Sequence, residues 1–307
     1  MSNNLQRVLF AAAAIPLALG IVWYGGLLLA LLVALAGALG TRELFALAEQ
    51  RGVQPLRGLG MALAALAPLT VWLLAAGASE AYSVEAIGRS PGGGVVAWFG
   101  RVPPWLLQEW PLAATLVPVV VLAAVLLRRT AEERPLEVSA VTLLGPIYCG
   151  VLPSALLLIR YAAGGERSWP AAWLVFFPLA VTWLCDSFAM WGGKLIGGPR
   201  LAPAISPGKT RAGTIAGLVG GVLTAVVYVP LAPLSRPIPI GSAAIMGLAI
   251  ASVAQVGDLA ESLLKREAGV KDSSGLIPGH GGVLDRLDSL YFVLPVSALL
   301  FRAFGVL

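Results

Sequence analysis

Charge is the scarcest property of this sequence. Asp, Glu, Lys and Arg make up only 12% of its 307 residues, whereas 58% are hydrophobic and the mean hydropathy is +0.86. Because soluble domains carry about 25% charged residues, the composition excludes an ordinary soluble domain and predicts an all-α polytopic integral membrane protein. The basic residues are dispersed in short loops, so the pI near 9.5 does not indicate a nucleic-acid partner.

Cysteine and histidine are nearly absent. Cys149 and Cys185 are the only cysteines and lie in apolar runs, where buried free thiols are favoured over a disulfide or a metal pair. His280 is the single histidine.

The sequence also lacks a convincing internal repeat. Its first apolar run leads directly into a second, which favours a retained membrane helix over a cleaved signal peptide.

What is present is a series of apolar runs separated by short polar segments. They predict about nine spans, about five of them in an N-terminal region (1–170) and the rest in a C-terminal region (171–307) that carries the charged motifs. Tyr24-Gly25-Gly26 breaks the first run and predicts a tight helical hairpin. Residues 41–58 are interpreted as a charged connection and residues 78–110 as an exterior loop. The predicted spans are about 8–24, 26–40, 59–77, 111–127, 138–159, 171–191, 212–231, 240–264 and 289–305.

The distribution of basic residues predicts the orientation of these spans. When the N-terminus is placed in the cytoplasm, 15 of the 21 Lys and Arg residues fall on the cytoplasmic side, in agreement with the positive-inside rule. The two charged segments described next then face the cytoplasm, where nucleoside triphosphates are found.

Charge is concentrated between Gly257 and Asp288. Four polar residues have helical spacing and share one helix face: Asp258, Glu261, Ser262 and Lys265. Asp285 and Asp288 form a second pair, and the glycines and proline between the two groups exclude a continuous helix. A loop that folds back would bring three carboxylates together among basic groups, which suits a divalent cation and a polyphosphate. The alternative is a solvated charged loop between two membrane helices.

A second charged segment begins at Asp186, continues through Lys194 and ends with Ser206-Pro207-Gly208-Lys209-Thr210. Glycines let backbone amides approach phosphate oxygens, and Lys and hydroxyl groups add charge and hydrogen bonds. The spacing is not that of a Walker A loop, because no glycine stands five positions before Gly208. Two alternatives stay open: a basic turn at the lipid surface for this loop, and a helix-end carboxylate that reaches water for Asp186.

The charged stretch reads Ser262-x-x-Lys265-Arg266, Lys271-Asp272, Pro278-Gly279-His280-Gly281-Gly282 and Asp285-Arg286-x-Asp288. This pattern resembles the signature of the phosphatidate cytidylyltransferases, or CDP-diacylglycerol synthases. The resemblance covers residues 180–295, since that family has a similar acid and SPxKT segment upstream. Arg211 and Ala212 depart from it, because the family has an aromatic residue and an acid or amide there.

The resemblance implies a reaction between CTP and phosphatidate that gives CDP-diacylglycerol and pyrophosphate, in a bacterial-type inner membrane. It also implies a homodimer and a second, monovalent cation such as K⁺. We expect Mg²⁺ to be held by Asp258, Asp285 and Asp288. The expected catalytic residues are Asp258, Asp285, Asp288, Lys265, Arg286 and His280. The expected substrate-binding residues are Asp186, Lys194, Ser206, Lys209, Thr210, Ser262, Arg266, Lys271 and Asp272.

The role of His280 follows from the nature of the nucleophile. A phosphate monoester is already anionic, so we expect His280 to orient phosphate or the loop rather than act as a general base.

Three other functions are considered. A CDP-alcohol phosphotransferase needs a DGxxAR…GxxxDxxxD run, which is missing. An ion- or proton-coupled transporter would carry broken helices in inverted repeats. A related enzyme that acts on an isoprenoid lipid is the nearest alternative.

Overall fold

The computed structural model describes residues 3–87, 104–162, 167–234, 237–277, 279 and 281–307. Eleven α-helices make up most of this part of the chain, together with one short two-stranded sheet. The helices are α1 (Asn3–Tyr24), α2 (Gly26–Gln50), α3 (Arg57–Ile87), α4 (Pro104–Ala114), α5 (Leu116–Arg128), α6 (Pro135–Pro146), α7 (Ala155–Ala162), α8 (Trp169–Ile196), α9 (Arg211–Leu231), α10 (Ile240–Glu267) and α11 (Leu284–Ala303). The antiparallel strands are β1 (Arg200–Ala202) and β2 (Ser206–Thr210).

Within the described residues, seven helical segments are long and apolar enough to cross a membrane. They are Gly26–Gln50, Arg57–Ala76, Glu109–Arg128, Pro135–Ala162, Trp169–Ile196, Arg211–Leu231 and Ile240–Glu267. Large apolar side chains are exposed along their outer faces; Leu127, for example, is 83% exposed. Apolar surface of this extent requires a lipid environment, so the prediction of an all-α multi-pass membrane protein is confirmed at this level.

The predicted break between the first two helices is confirmed. Helix α1 ends at Tyr24 and α2 begins at Gly26, with Gly25 at a φ of 73° that side chains rarely adopt. The buried guanidinium of Arg160, on α7, donates to the carbonyls of Val22 (2.9 Å) and Trp23 (2.8 Å). These bonds satisfy carbonyls that the end of α1 would otherwise leave without partners.

Several predicted boundaries are wrong, because helical structure extends into polar segments. The connection predicted over 41–58 is helical as far as Gln50. The loop predicted over 78–110 is helical up to Ile87 and again from Pro104, and its central residues lie outside the described ranges. Ala and Glu favour a helix even where hydropathy is low. Hydropathy is therefore a poor predictor of where these helices end.

Two irregularities were also not predicted. Residues Ile147–Val151 form a π-helical turn within the span 135–162, at a point where Pro146 and Pro153 cannot donate backbone hydrogen bonds. The second is the β1–β2 hairpin, which contains the SPGKT segment as strand β2. Apart from this hairpin and an isolated bridge between Ile277 and Gly281, the described regular structure is helical.

The interior joins the two halves of the chain. The largest apolar cluster includes Leu29 and Trp72 from the N-terminal region and Phe177, Ile250 and Phe301 from the C-terminal region. A second cluster packs α2, the π-helical turn and the start of α11 together; its buried members are Leu44, Leu47, Tyr148, Cys149, Leu284 and Tyr291. This second cluster holds the beginning of α11 against α2, directly beside the charged residues described next.

Candidate functional site

A cavity of about 780 Å³ lies where α8, the β1–β2 hairpin, α9, α10 and α11 meet. Five acidic and five basic side chains line it: Asp186, Asp258, Asp272, Asp285 and Asp288, with Lys194, Arg200, Lys209, Lys265 and Arg286. The two charged segments identified in the sequence therefore surround one space. Trp183 and Met190 of α8 also line it, and each is about half exposed.

The hairpin brings the SPGKT segment to this cavity. The Lys209 ammonium lies 2.8 Å from a carboxylate oxygen of Asp258 on α10, and both side chains are partly exposed. The Thr210 hydroxyl accepts a hydrogen bond of 3.0 Å from the N–H of Gly213 and caps α9. The ion pair thus connects the upstream segment directly to the signature stretch, which is more than 40 residues away in sequence.

A second group of polar and charged side chains is largely buried, and two of its members, Lys265 and Asp285, also line the cavity. We call it the inner cluster: Glu43, Glu261, Lys265, Ser273 and Asp285. The Lys265 ammonium lies 2.7 Å from Asp285 Oδ1 and 2.8 Å from Glu261 Oε2, so two carboxylates surround this one positive charge. The Glu261 side chain is fully buried. A lysine that two acids already neutralise is less available to a phosphate group than the sequence prediction for Lys265 assumes.

Asp285 holds the loop that precedes α11. Its Oδ2 atom accepts hydrogen bonds from the N–H of Ser273 (2.9 Å), the Ser273 hydroxyl (2.8 Å) and the N–H of Gly282 (2.8 Å). Burial alone would raise the pKa of the Asp285 carboxyl, but Lys265 and these donors lower it below its usual value. Asp285 is therefore an ionised carboxylate, and both of its oxygens already accept hydrogen bonds from groups of the protein.

Glu43 completes the inner cluster, and sequence reasoning missed it. The side chain comes from α2, and the residue is only 4% exposed. Four donor groups of the loop and α11 lie between 2.6 and 3.1 Å from its two carboxylate oxygens: the hydroxyls of Ser273 and Ser274 and the N–H groups of Val283 and Leu284, with the Ser273 hydroxyl shared between Glu43 and Asp285. The available signal was an acid directly followed by apolar Leu44 and Phe45 at the end of a long apolar run (Thr41-Arg42-Glu43-Leu44-Phe45).

Three other acids and three basic side chains line the cavity and are more accessible than the inner cluster. We call this group the cavity face: Asp186, Lys194, Lys209, Asp258, Arg286 and Asp288. Asp186 and Asp288 lie near enough to Asp258 to interact with it electrostatically. Within the described residues, no hydrogen bond or ion pair engages Asp186, whereas one oxygen of Asp288 accepts from the N–H of Ser289 at 2.6 Å. All three acids line the space in which a bound molecule would lie.

Some predicted site residues lie away from the cavity wall. Ser262 donates to Asp258 at 3.3 Å, and Arg266 donates to the carbonyls of Ile205 (3.1 Å) and Val270 (2.8 Å). Arg266 thereby joins the hairpin to the loop after α10. Ser206 lies in β2 and Lys271 is exposed, and neither lines the cavity. The prediction for His280 falls outside the described residues.

The cavity face has donors that suit Mg²⁺, a cation that prefers carboxylate oxygens. Within the described residues, no group of three or more acidic, Cys or His side chains stands in a preformed metal-binding arrangement. Mg²⁺ is commonly held by one or two carboxylates and completed by water and substrate phosphates. Asp258 and Asp288, with Asp186 beside them, fit a site of this kind, whereas the oxygens of Asp285 are already engaged.

These features define a class: a multi-pass helical membrane protein with a charged cavity built from two separated motifs. The model of the cytidylyltransferase family matches residues 5–304, and the chain belongs to this family. A Synechocystis protein called phosphatidate cytidylyltransferase is 30% identical over 313 residues, which cover 95% of this chain and 94% of that protein.

Other curated relatives match a shorter part of the chain. Proteins with the same name from Haemophilus influenzae and Bacillus subtilis are 45% and 41% identical over 127 and 131 residues. These alignments cover 40% and 43% of this chain, and the chain spans 43% and 48% of those proteins.

Proposed function

We propose that this protein is a phosphatidate cytidylyltransferase, which joins CTP and phosphatidate to give CDP-diacylglycerol and pyrophosphate. The observation that carries the proposal is the Lys209–Asp258 ion pair, which brings the SPGKT segment and the signature stretch to one cavity. Membership of the cytidylyltransferase family and the name of the relative that covers 95% of the chain support it.

The reaction balances without a further reactant. A phosphate oxygen of phosphatidate attacks the α-phosphorus of CTP, and the bond from that phosphorus to the bridging oxygen breaks as pyrophosphate leaves. Both reactants are polyanions, so positioning and neutralisation of charge contribute most of the barrier reduction. Lys194, Lys209 and Arg286 of the cavity face supply positive charge for the phosphates.

The acids of the cavity face are assigned to the cation. Asp258 and Asp288 hold Mg²⁺, and Asp186 is the third carboxylate within electrostatic range. When bound, Mg²⁺ neutralises charge on the phosphates of CTP. Asp285, which we predicted to be a third ligand, is assigned instead to positioning the loop, because Lys265, Ser273 and Gly282 already occupy its oxygens. The homodimer and the second, monovalent cation stay predictions from the family resemblance.

The wall of the cavity supports a lipid as one of the substrates. Trp183 and Met190 present apolar side chains on α8, one of the helices apolar enough to cross a membrane. Asp186 and Lys194 line the cavity from the same helix. A molecule with an anionic head and an apolar tail matches this pairing of charged and apolar wall.

The decisive experiment is an assay of the purified full chain with CTP, Mg²⁺ and phosphatidate. We expect CDP-diacylglycerol and pyrophosphate in equal amounts, loss of product on addition of EDTA and recovery with excess Mg²⁺. An isoprenoid phosphate offered in place of phosphatidate tests the alternative lipid. Turnover of the isoprenoid alone, or of neither lipid, would contradict the proposal.

The proposed orientation places the N-terminus and the cavity in the cytoplasm of a bacterial-type inner membrane, with α1 and α11 completing nine spans. A cysteine at exposed Gly275 should react with a membrane-impermeant maleimide only after permeabilisation of cells. A cysteine at exposed Gly241, at the opposite end of α10, should react in intact cells. The parent chain is the control, because Cys149 and Cys185 are buried. The reverse labelling pattern would invert the topology.

A further inference from the structure

The carboxylate of Glu43 makes an unusual number of contacts for a side chain from a distant helix. Oε1 accepts from the Ser274 hydroxyl (2.6 Å) and the N–H of Val283 (3.1 Å), while Oε2 accepts from the N–H of Leu284 (2.7 Å). The Ser273 hydroxyl lies 3.0 Å from Oε2 and 2.8 Å from Asp285, and it can donate to only one of them at a time. Every partner of Glu43 belongs to the signature stretch, more than 200 residues away.

The two N–H groups are those that the start of a helix leaves without partners. Helix α11 begins at Leu284, and the residue before it, Val283, provides no side-chain cap. Glu43 supplies the missing acceptor from α2, and its negative charge lies at the positive end of the α11 dipole. Asp285 and Asp288 lie in the first two turns of α11, so the contact that fixes the helix start also fixes both carboxylates.

Gly282 gives an independent sign that the loop is built around this carboxylate. A Cβ atom at position 282 would lie 2.3 Å from Glu43 Oε2 and 2.2 Å from the Ser273 hydroxyl oxygen, so a larger residue cannot fit unless they move. The Gly282 N–H donates instead to Asp285. The backbone of Gly282 therefore lies between the Glu43 and Asp285 carboxylates, as close to them as its atoms allow.

We propose that Glu43 is a positioning residue for the reaction: it holds the start of α11 and the preceding loop so that Asp288 meets the cation and CTP phosphates. The inference rests on the proposed function, and it assigns a role to a helix outside both charged motifs. Glu43 touches neither the cavity wall nor the reacting atoms, and it acts through Ser273, Ser274 and the α11 backbone.

Glu43→Gln tests this role with almost no change of side-chain volume. A glutamine amide accepts on one oxygen only, and its NH₂ group would face N–H and O–H donors. We expect kcat at saturating CTP to fall by at least about tenfold and the Mg²⁺ concentration for half-maximal rate to rise. Glu49→Gln is the matched control, because Glu49 lies on the same helix and pairs with Arg57 at the surface.

A second readout does not depend on turnover. Amide hydrogen exchange of residues 270–284, followed by mass spectrometry in the full chain, should be faster in Glu43→Gln than in the parent or in Glu49→Gln, because local opening exposes these N–H groups. Exchange in α9 should stay unchanged. Faster exchange in a chain without cytidylyltransferase activity would support the contact and refute the proposed function.

A double-mutant cycle tests the contact itself. Gly282→Ala should be severely impaired in the parent chain because its methyl group meets both Glu43 and the Ser273 hydroxyl, whereas adding Gly282→Ala to Glu43→Ala should cost less, since one of these two contacts is gone. Suppose that the parent chain is active and that Glu43→Gln leaves its kcat, its Mg²⁺ requirement and its loop exchange all unchanged. This result would overturn the inference. A lower melting temperature with unchanged kcat and Mg²⁺ requirement would overturn it as well, because it would leave Glu43 a purely structural role.

Discussion

The cavity face and the inner cluster are built from the same types of residue, yet their environments differ. In the inner cluster, Lys265 and Asp285 are almost fully buried, and the Lys265 ammonium is paired with both Asp285 and Glu261. On the cavity face, Lys209 and Asp258 form one partly exposed ion pair, while Asp186 has no partner among the described residues. Neighbours in sequence are thus divided between the two groups: Asp285 lies in one and Asp288 in the other.

This difference shows how a motif of fixed spacing can contain two kinds of residue. Three positions along a helix turn a side chain by about 300°, so Asp285 and Asp288 lie on adjacent but distinct parts of the α11 surface. Asp285 reaches back to Ser273 and Gly282, whereas Asp288 lies nearer to Asp258 and Asp186. Removing a buried, fully bonded charge should disturb folding, and removing an accessible one should disturb only binding and turnover.

The largest expected effect comes from Asp288→Asn. Loss of a carboxylate that faces the cation removes charge stabilisation worth several kcal/mol, so we expect kcat/KM to fall by about a thousandfold. The melting temperature in detergent should stay close to that of the parent. Glu267→Gln, at the exposed end of α10, is the control. Activity near that of the parent would remove Asp288 from the proposed site.

The same chemical change three residues earlier should give a different result. Asp285→Asn leaves the buried Lys265 ammonium with Glu261 alone and weakens the acceptor for three donors. Breaking a buried ion pair costs roughly 3–5 kcal/mol, so the melting temperature should fall by several degrees and activity by about a hundredfold. Thermal unfolding and the cytidylyl-transfer assay measure the two effects. A stable but inactive Asp285→Asn would instead return Asp285 to the set of metal ligands.

The smallest effect is expected for Lys209→Ala. If Lys209 contacts CTP phosphates, its removal should lower kcat/KM for CTP by at least about tenfold, or 1.4 kcal/mol. A lysine that only contacts anionic lipid headgroups contributes about 1 kcal/mol to surface attraction and nothing specific to turnover. Arg57→Ala, at a surface ion pair outside both motifs, is the control. Equal and small effects of the two substitutions would reduce the SPGKT segment to an ordinary basic turn.

Much of the fold could be predicted from hydropathy and helix-breaking residues. The membrane class, the break at Tyr24-Gly25-Gly26 and the positions of most apolar helices agree with the structure. Helix ends in polar segments were predicted poorly, as at Gln50 and Ile87, because helix formation depends on backbone hydrogen bonds and not on hydropathy. The π-helical turn at Ile147–Val151 had no clear sequence signal beyond its two flanking prolines.

Composition and the distribution of charge are sufficient to identify a multi-pass membrane protein with two charged motifs, since charge is too scarce and too concentrated for another class. The packing of distant helices is needed to show that Lys209 meets Asp258, that Lys265 is shared between Glu261 and Asp285, and that Glu43 contacts the start of α11. Spacing within a helix predicts which side chains share a face. It cannot predict which distant helix will pack there, because that choice depends on the burial of apolar surface over the whole chain.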